Sequence, residues 1–175
     1  KFKVIINLMQ ITEQSENNII AAVKKIKEVK PNVLYFADSL GAMNGEDVSK
    51  CIKSIRTQWR GEIGIHTHNN LGKAVSNSIS AIENGATWID STVTGMGRGP
   101  GNSETEYMLI EMSKFSKKKY NLLPITKIIS KYFEPLKTRY KWGPNPFYYL
   151  AGKHGIHPTY IQEMLTMKMD EVEIL

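Results

Sequence analysis

Residues 63 to 72 read IGIHTHNNLG, an apolar run that ends in two histidines two positions apart. On a β-strand, side chains alternate between faces with a period of two. His66 and His68 then share one face, while Ile63, Ile65 and Thr67 occupy the other. Helices would cover the apolar half, leaving the histidines to face the opposite side. Two imidazoles on successive same-face positions can converge on one divalent cation. A bare H-x-H is a weak signal, since most such pairs are structural or simply exposed. Its meaning depends on the fold that carries it.

The flanking sequence repeats one unit. Residues 2 to 10, FKVIINLMQ, form a short β-prone run, and ENNIIAAVKKIKEVK follows with Ile19, Val23, Ile26 and Val29 at helical spacing. Pro31 stops that helix, because its ring blocks continuation. NVLYFADSLG, 32 to 41, is the second strand; its helix carries Val48, Ile52, Ile55 and Trp59, with Gly61 just past the end. The third strand starts near Glu62, and its helix presents Val75, Ile79 and Ile82 before ending at Gly85. ATWIDSTVTG, 86 to 95, is the fourth strand. Ser103 and Glu106 then make an S-x-x-E capping box for a helix whose apolar face uses Tyr107, Ile110 and Phe115.

Strands starting roughly 25 to 30 residues apart, each followed by a helix, predict a parallel sheet with crossover helices. Right-handed crossovers put all helices on one side if the sheet curls into a barrel, and on both sides if it stays open. An eight-unit barrel takes ~250 residues, so this chain supplies half of one. Its two raw sheet edges must find partners. The expected fold class is α/β, with four parallel βα units of a half-barrel over 1-120 and a helical, aromatic-rich extension over 121-175.

In that extension, PITKIISKYFEPLKTRY has helical spacing at Ile125, Ile128, Ile129, Tyr132, Phe133 and Leu136. KWGPNPFYYLAGKHGIHP is rich in aromatics, Gly and Pro and is expected to be irregular, serving as a lid or docking surface. Tyr140, Trp142, His154 and His157 fall in or beside it, with core or surface roles as the default. PTYIQEMLTMKM reads as a last short helix with Pro158 in its first turn.

Composition narrows the function. Hydrophobic content of 41% and charged content of 23% over 175 residues are those of one globular domain, not a disordered tail. No apolar run approaches the ~20 residues of a membrane span. The single cysteine, Cys51, rules out an internal disulfide and suits a reducing, cytoplasmic setting. Net charge is +6, with Lys114, Lys117, Lys118, Lys119 and Lys127 clustered, but no aromatic-interleaved groove accompanies them. A solvated surface is expected there, not nucleic-acid binding. The chain opens in what reads as mid-strand, without an initiator Met or signal pattern, so it is expected to be the later portion of a longer protein.

Polar residues gather at the predicted strand ends, the rim on which parallel barrels build their active sites. Asp38 and Ser39 close the second strand, Asn69 and Asn70 follow the histidines, and Asp90 and Thr92 lie in the fourth. Each has a bland alternative in capping and loop hydrogen bonds. The loop GMGRGPGNSETE carries Gly95, Gly97, Gly99 and Gly101 and runs toward a helix, as an anion cradle would. It lacks the Lys-Ser/Thr of a P-loop and the G-x-G-x-x-G spacing, so a tight βα turn is the alternative. Arg98 could grip a carboxylate or phosphate with two hydrogen bonds, and Asn102 could give a metal an oxygen.

Taken together, IHTHNNLGKAVSNSISAIENGATWIDSTVTGMGRGPGN resembles the DRE-TIM metallolyase group of barrel enzymes. The H-x-H-N, the A-x-x-N-S helix, the strand with its Asp and the G-x-G-x-x-x-G-N loop occur in that group's order, and YFADSLGAMN looks like its sixth strand and turn. The resemblance covers residues 1 to 115 and corresponds to the fifth through eighth βα units; the 4-hydroxy-2-oxovalerate aldolase branch looks nearest.

It implies a divalent ion, Mg²⁺ or Mn²⁺, held by His66 and His68, with Asn102 matching an Asn that some members use as a further ligand. It also implies a 2-oxo acid substrate, cleaved to or formed from pyruvate and an aldehyde. Asp38, Asn70 and Arg98 are the substrate-pocket candidates. The group's Asp ligand and substrate Arg lie on the first barrel strand, and no D-R-E-like segment is present here, so the catalytic base is unassigned and this chain alone is expected to be inactive. Expected partners are the missing N-terminal half-barrel or a second chain in a homo-oligomer, and a partner enzyme that takes up a reactive aldehyde. Acyl-CoA lyases or synthases of the group are the alternative activity. A non-catalytic half-barrel and a nucleotide- or phosphate-binding loop are alternatives of other classes.

Overall fold

The computed structural model describes residues 2–167 and 169–174. Four strands form one sheet in the order β1-β2-β3-β4, every pair parallel. They are β1 (Ile5–Leu8), β2 (Val33–Asp38), β3 (Glu62–Thr67) and β4 (Trp88–Ile89). The helices α1 (Glu16–Val29), α2 (Gly45–Arg56) and α3 (Ala74–Glu83) supply the crossovers, and α4 (Thr105–Glu111) follows β4.

Strand parity decides which face becomes core. Leu34 and Phe36 of β2, with Ile63 and Ile65 of β3, pack in one cluster with Ile19 and Val23 of α1, Val48, Ile52 and Ile55 of α2, and Ala81 of α3. All three crossover helices therefore lie on one face, the arrangement of a curling barrel wall and not of an open, doubly covered sheet. Full burial of such branched side chains stabilises the fold by about 1.5–3 kcal/mol each. The other face carries Tyr35 and the two histidines.

Several local expectations are corrected. The fourth strand is two residues long, not ten: from Val93 to Gly95 the chain winds into a 3₁₀ turn with Thr94 left-handed at φ 54. Ser103 and Glu106 make no capping box. Ser103 is buried without a hydroxyl partner, and the Glu106 carboxylate instead accepts the Thr94 N–H at 3.1 and 3.0 Å, which holds the 3₁₀ turn. Tyr107, Ile110 and Phe115 are exposed, and Met108 is the buried residue of α4. On α3 the buried residues are Ala74, Asn77, Ser78 and Ala81, while Val75 and Ile79 line a groove against Tyr107 and Ile110. The reason is close approach. Thr67 Oγ1 donates to the Ala74 carbonyl at 3.2 Å and lies 3.1 Å from Ser78 Oγ, leaving no room for bulky groups.

The extension is helical where irregularity was expected. α5 (Leu123–Ile128) and α6 (Glu134–Tyr140) join through one wide π turn, Ile129–Phe133. Pro135 sits just past it, and its missing N–H and ring disturb the preceding turn. α7 (Pro146–His154) occupies the Gly- and Pro-rich stretch, started by Asn145, whose side chain accepts the Tyr148 N–H, and by Pro146 at its first turn. α8 (Pro158–Thr166) begins at Pro158, and a short α9 (Glu171–Ile174) follows. Tyr148, Ala151 and Ile161 form a second small core. Trp142 is buried and donates its indole N–H to the Thr94 carbonyl at 3.0 Å, and Gly143 N–H donates to Gly99. The extension thus packs on the glycine loop. Among the described residues, no helix is long and apolar enough to cross a membrane.

Candidate metal centre

β3 delivers His66 and His68 to the inner face at the carboxyl end of the sheet. Their Nε2 atoms stand 3.4 Å apart, with ring centroids 4.9 Å apart and planes at 89°. Each ring is held from behind through Nδ1. His66 Nδ1 is 3.2 Å from Asp90 Oδ2, and His68 Nδ1 is 3.0 Å from the Asp38 main-chain carbonyl. A carboxylate and a carbonyl only accept hydrogen bonds, so each partner favours a proton on Nδ1 and an Nε2 turned toward the other ring. Burial, then the neighbouring His66, pushes His68 down to about 4, so it is neutral at physiological pH.

Two lone pairs facing each other repel unless a proton or a metal ion stands between them. A gap of 3.4 Å is about the separation of two ligand atoms in one shell when each bond is ~2.1 Å. The donor set therefore fits a divalent ion, in part. Among the described residues no group of three His, Cys, Asp or Glu side chains converges, so further oxygens must come from elsewhere. Asn102 is bridged through its backbone to His68 on the same rim, with its side-chain amide donating to the Met96 carbonyl at 3.1 Å.

The other candidates are placed differently from one another. Asp38 is fully buried and its carboxylate accepts the N–H groups of Ala42 and Met43, at 3.0 and 3.1 Å. It serves the site through its main-chain oxygen. Burial raises its pKa to about 6, against the lowering by those N–H groups. Asn70 is also fully buried, its amide donating to the Tyr148 carbonyl at 3.4 Å, its oxygen unpaired and close against Gly41. Arg98 is exposed on the glycine loop; its charge adds a little to the lowering of His68, and burial raises the Tyr148 pKa against the opposing charge of Arg98.

The glycine loop folds on itself. Gly95, Gly99 and Gly101 all have positive φ, and a Cβ on Gly101 would lie 2.4 Å from the Gly95 carbonyl. The N–H groups of Gly95, Met96, Gly101 and Asn102 bond to loop carbonyls, leaving few to cradle a phosphate. Asn69 ties this loop to β3: its N–H donates to Gly101, its side-chain amide to Glu104, and its oxygen caps α3 at Ala74. Burial raises the Glu104 pKa.

Two contributors are easily missed from sequence. Asp90 lies level with His66, because Ile65 pairs with Ile89, and that register was open to inference once the strands were aligned. Tyr35 had no signal of its own. Its ring lies over Gly64, and burial, then the charge of nearby Asp90, raises the phenol's pKa.

The chain belongs to the HMGL-like family, whose profile matches residues 3–130. It is 38% identical over 96 residues to the 4-hydroxy-2-oxovalerate aldolase of Carboxydothermus hydrogenoformans, a match covering 55% of this chain and 29% of that protein. It is 37% identical over 111 residues to the enzyme of that name from Bacillus thuringiensis, covering 63% and 33%. The chain thus spans about a third of the length of the curated relatives it matches. Among solved structures, the N-terminal domain of a protein from Bacteroides vulgatus, provisionally assigned as an aldolase, superposes with a TM-score of 0.86 at 32% identity, over 94% of this chain and 55% of that one. The Bacillus subtilis HMG-CoA lyase superposes with a TM-score of 0.68 at 19% identity, over 83% and 52%, and shows the shared barrel fold. The four βα units are therefore half of a TIM barrel, followed by a helical tail.

Proposed function

We propose that the chain is the metal-bearing half of a divalent-metal-dependent aldolase that makes or breaks a carbon–carbon bond next to a 2-oxo acid. The observation that carries this reading is the pair of histidine Nε2 atoms, 3.4 Å apart on the barrel rim, with each ring held from behind at Nδ1. The aldolase names of relatives at 37–38% identity support the 2-oxo acid branch. The likeness to the HMG-CoA lyase is one of fold alone, so the acyl-CoA alternative has less behind it.

His66 and His68 would hold the ion, Mn²⁺ or Mg²⁺, with Asn102 at hand on the same rim. Once bound, such an ion acts as a Lewis acid on the oxygens of a 2-oxo acid. Asp90 and the Asp38 carbonyl hold both rings from behind, where they would present Nε2 to such an ion. Arg98, exposed on the glycine loop, is free to meet a substrate carboxylate. Proton transfer to and from the reacting hydroxyl is assigned to a group outside this chain. Two imidazoles alone make a poor site for a hard cation, so this chain binds Mn²⁺ weakly and is inactive until the other half-barrel completes it.

Water-proton relaxation tests this, at Mn²⁺ concentrations that load a weak site. Pyruvate should change the relaxation enhancement of the Mn²⁺-loaded chain, and acetyl-CoA should not. No response to pyruvate, or the same response after His66→Ala with His68→Ala, would sink the reading.

A further inference from the structure

We propose that Asp90 is a positioning residue that locks the His66 proton on Nδ1, and that Tyr35 braces Asp90 by reaching across β3 through the gap at Gly64.

The proton's position on His66 is a real choice. A neutral imidazole carries it on either nitrogen, and the partner of one nitrogen decides the state of the other. Here the alternative has an acceptor waiting. With the proton on Nε2, His66 could donate to His68 Nε2, only 3.4 Å away. That bond would close the clamp against any cation. His68 cannot make the same error, because its Nδ1 faces the Asp38 main-chain carbonyl, which can only accept. The decision therefore rests on the Asp90 carboxylate, 3.2 Å from His66 Nδ1.

Asp90 needs support to do this. Its side chain is 49% exposed, and it follows a strand only two residues long. Its N–H is tied to the Ile65 carbonyl, which fixes the backbone but not the carboxylate. The brace comes from two strands away. Tyr35 lies on β2, paired in register with Gly64 of β3, which is itself paired with Trp88 of β4. Neighbouring strands lie about 4.8 Å apart, so a side chain from β2 reaches β4 only by passing over β3. Gly64 leaves that path open. A Cβ there would meet the Tyr35 ring at 2.2 to 2.5 Å, with no space for both. Tyr35 is buried, and after burial the nearby charge of Asp90 also favours its protonated form, the donor such a brace requires.

This deepens the metal-clamp reading and rests on it for its purpose, but the tautomer can be read without metal. Long-range ¹H–¹⁵N NMR of the imidazole nitrogens, above neutral pH in the metal-free chain, should show both histidines protonated on Nδ1. Asp90→Ala should move the His66 proton to Nε2 and leave His68 unchanged. Asp90→Asn, whose amide oxygen still accepts, should keep the native state. Tyr35→Phe, which removes only the hydroxyl, should give mixed His66 tautomers. Mn²⁺ affinity should fall about 10–100-fold in Asp90→Ala, with partial rescue in Asp90→Asn. A His66 proton on Nε2 in the wild type, or still on Nδ1 in Asp90→Ala, would overturn the proposal. Should Asp90→Ala not fold, Tyr35→Phe decides: an unmixed, native His66 tautomer there contradicts the brace. Native tautomers that shift as described, in a wild type that takes no Mn²⁺, would support the positioning role and remove the metal reading.

Discussion

His68 owes its place to a main-chain carbonyl, so no substitution of Asp38's side chain removes its partner directly. The Asp38 carboxylate shapes the loop instead, through Ala42 and Met43. Glycines set the loop opposite. Gly101→Ala should cost about 2 kcal/mol or more in urea unfolding, because its φ is +77 and the new Cβ would strike the Gly95 carbonyl. Cys51 lies in the helix-covered core, and burial pushes its thiol from 9.0 up to about 12. It should resist alkylation until the chain unfolds. Its folded pKa is raised, so its share of stability is intact below about pH 9 and is lost as pH rises toward 12; alkaline unfolding followed by thiol titration measures this. The histidine pair was legible because strand parity needs only a period of two. Tyr35 was not, because its role depends on a gap in the next strand and on a parallel register that no local pattern encodes.

Among elements, β1 to β3 and their helices followed from periodicity and stop signals, and Pro31 does follow α1 closely. β4 stops at Ile89 although β-prone residues continue past it, because Glu106, far along the chain, holds Thr94 in a turn. α7 was missed because Gly and Pro suggest loops, yet Asn145 and Pro146 are also good helix starters. Its neighbour Trp142 is the anchor of the extension on the glycine loop. Trp142→Ala should destabilise the chain by about 3–5 kcal/mol, measured in urea. Amide exchange should quicken at Gly95 and Asn102, while α2 stays protected.

At the scale of the whole molecule, half a barrel leaves sheet edges unpaired. On β1's side Phe2 is 98% exposed, Val4 51% and Met9 57%. Such an edge invites pairing. Sedimentation velocity should show this chain self-associating, and Val4→Lys with Met9→Lys should shift it toward monomer. A wild type that stays monomeric at all concentrations would count against edge pairing. The histidine clamp is what the whole fold serves to position. Electron paramagnetic resonance of Mn²⁺ titrated into the chain tests it most directly. The wild type should show one weak site, lost in His66→Ala with His68→Ala. Equal Mn²⁺ binding by both proteins would contradict it.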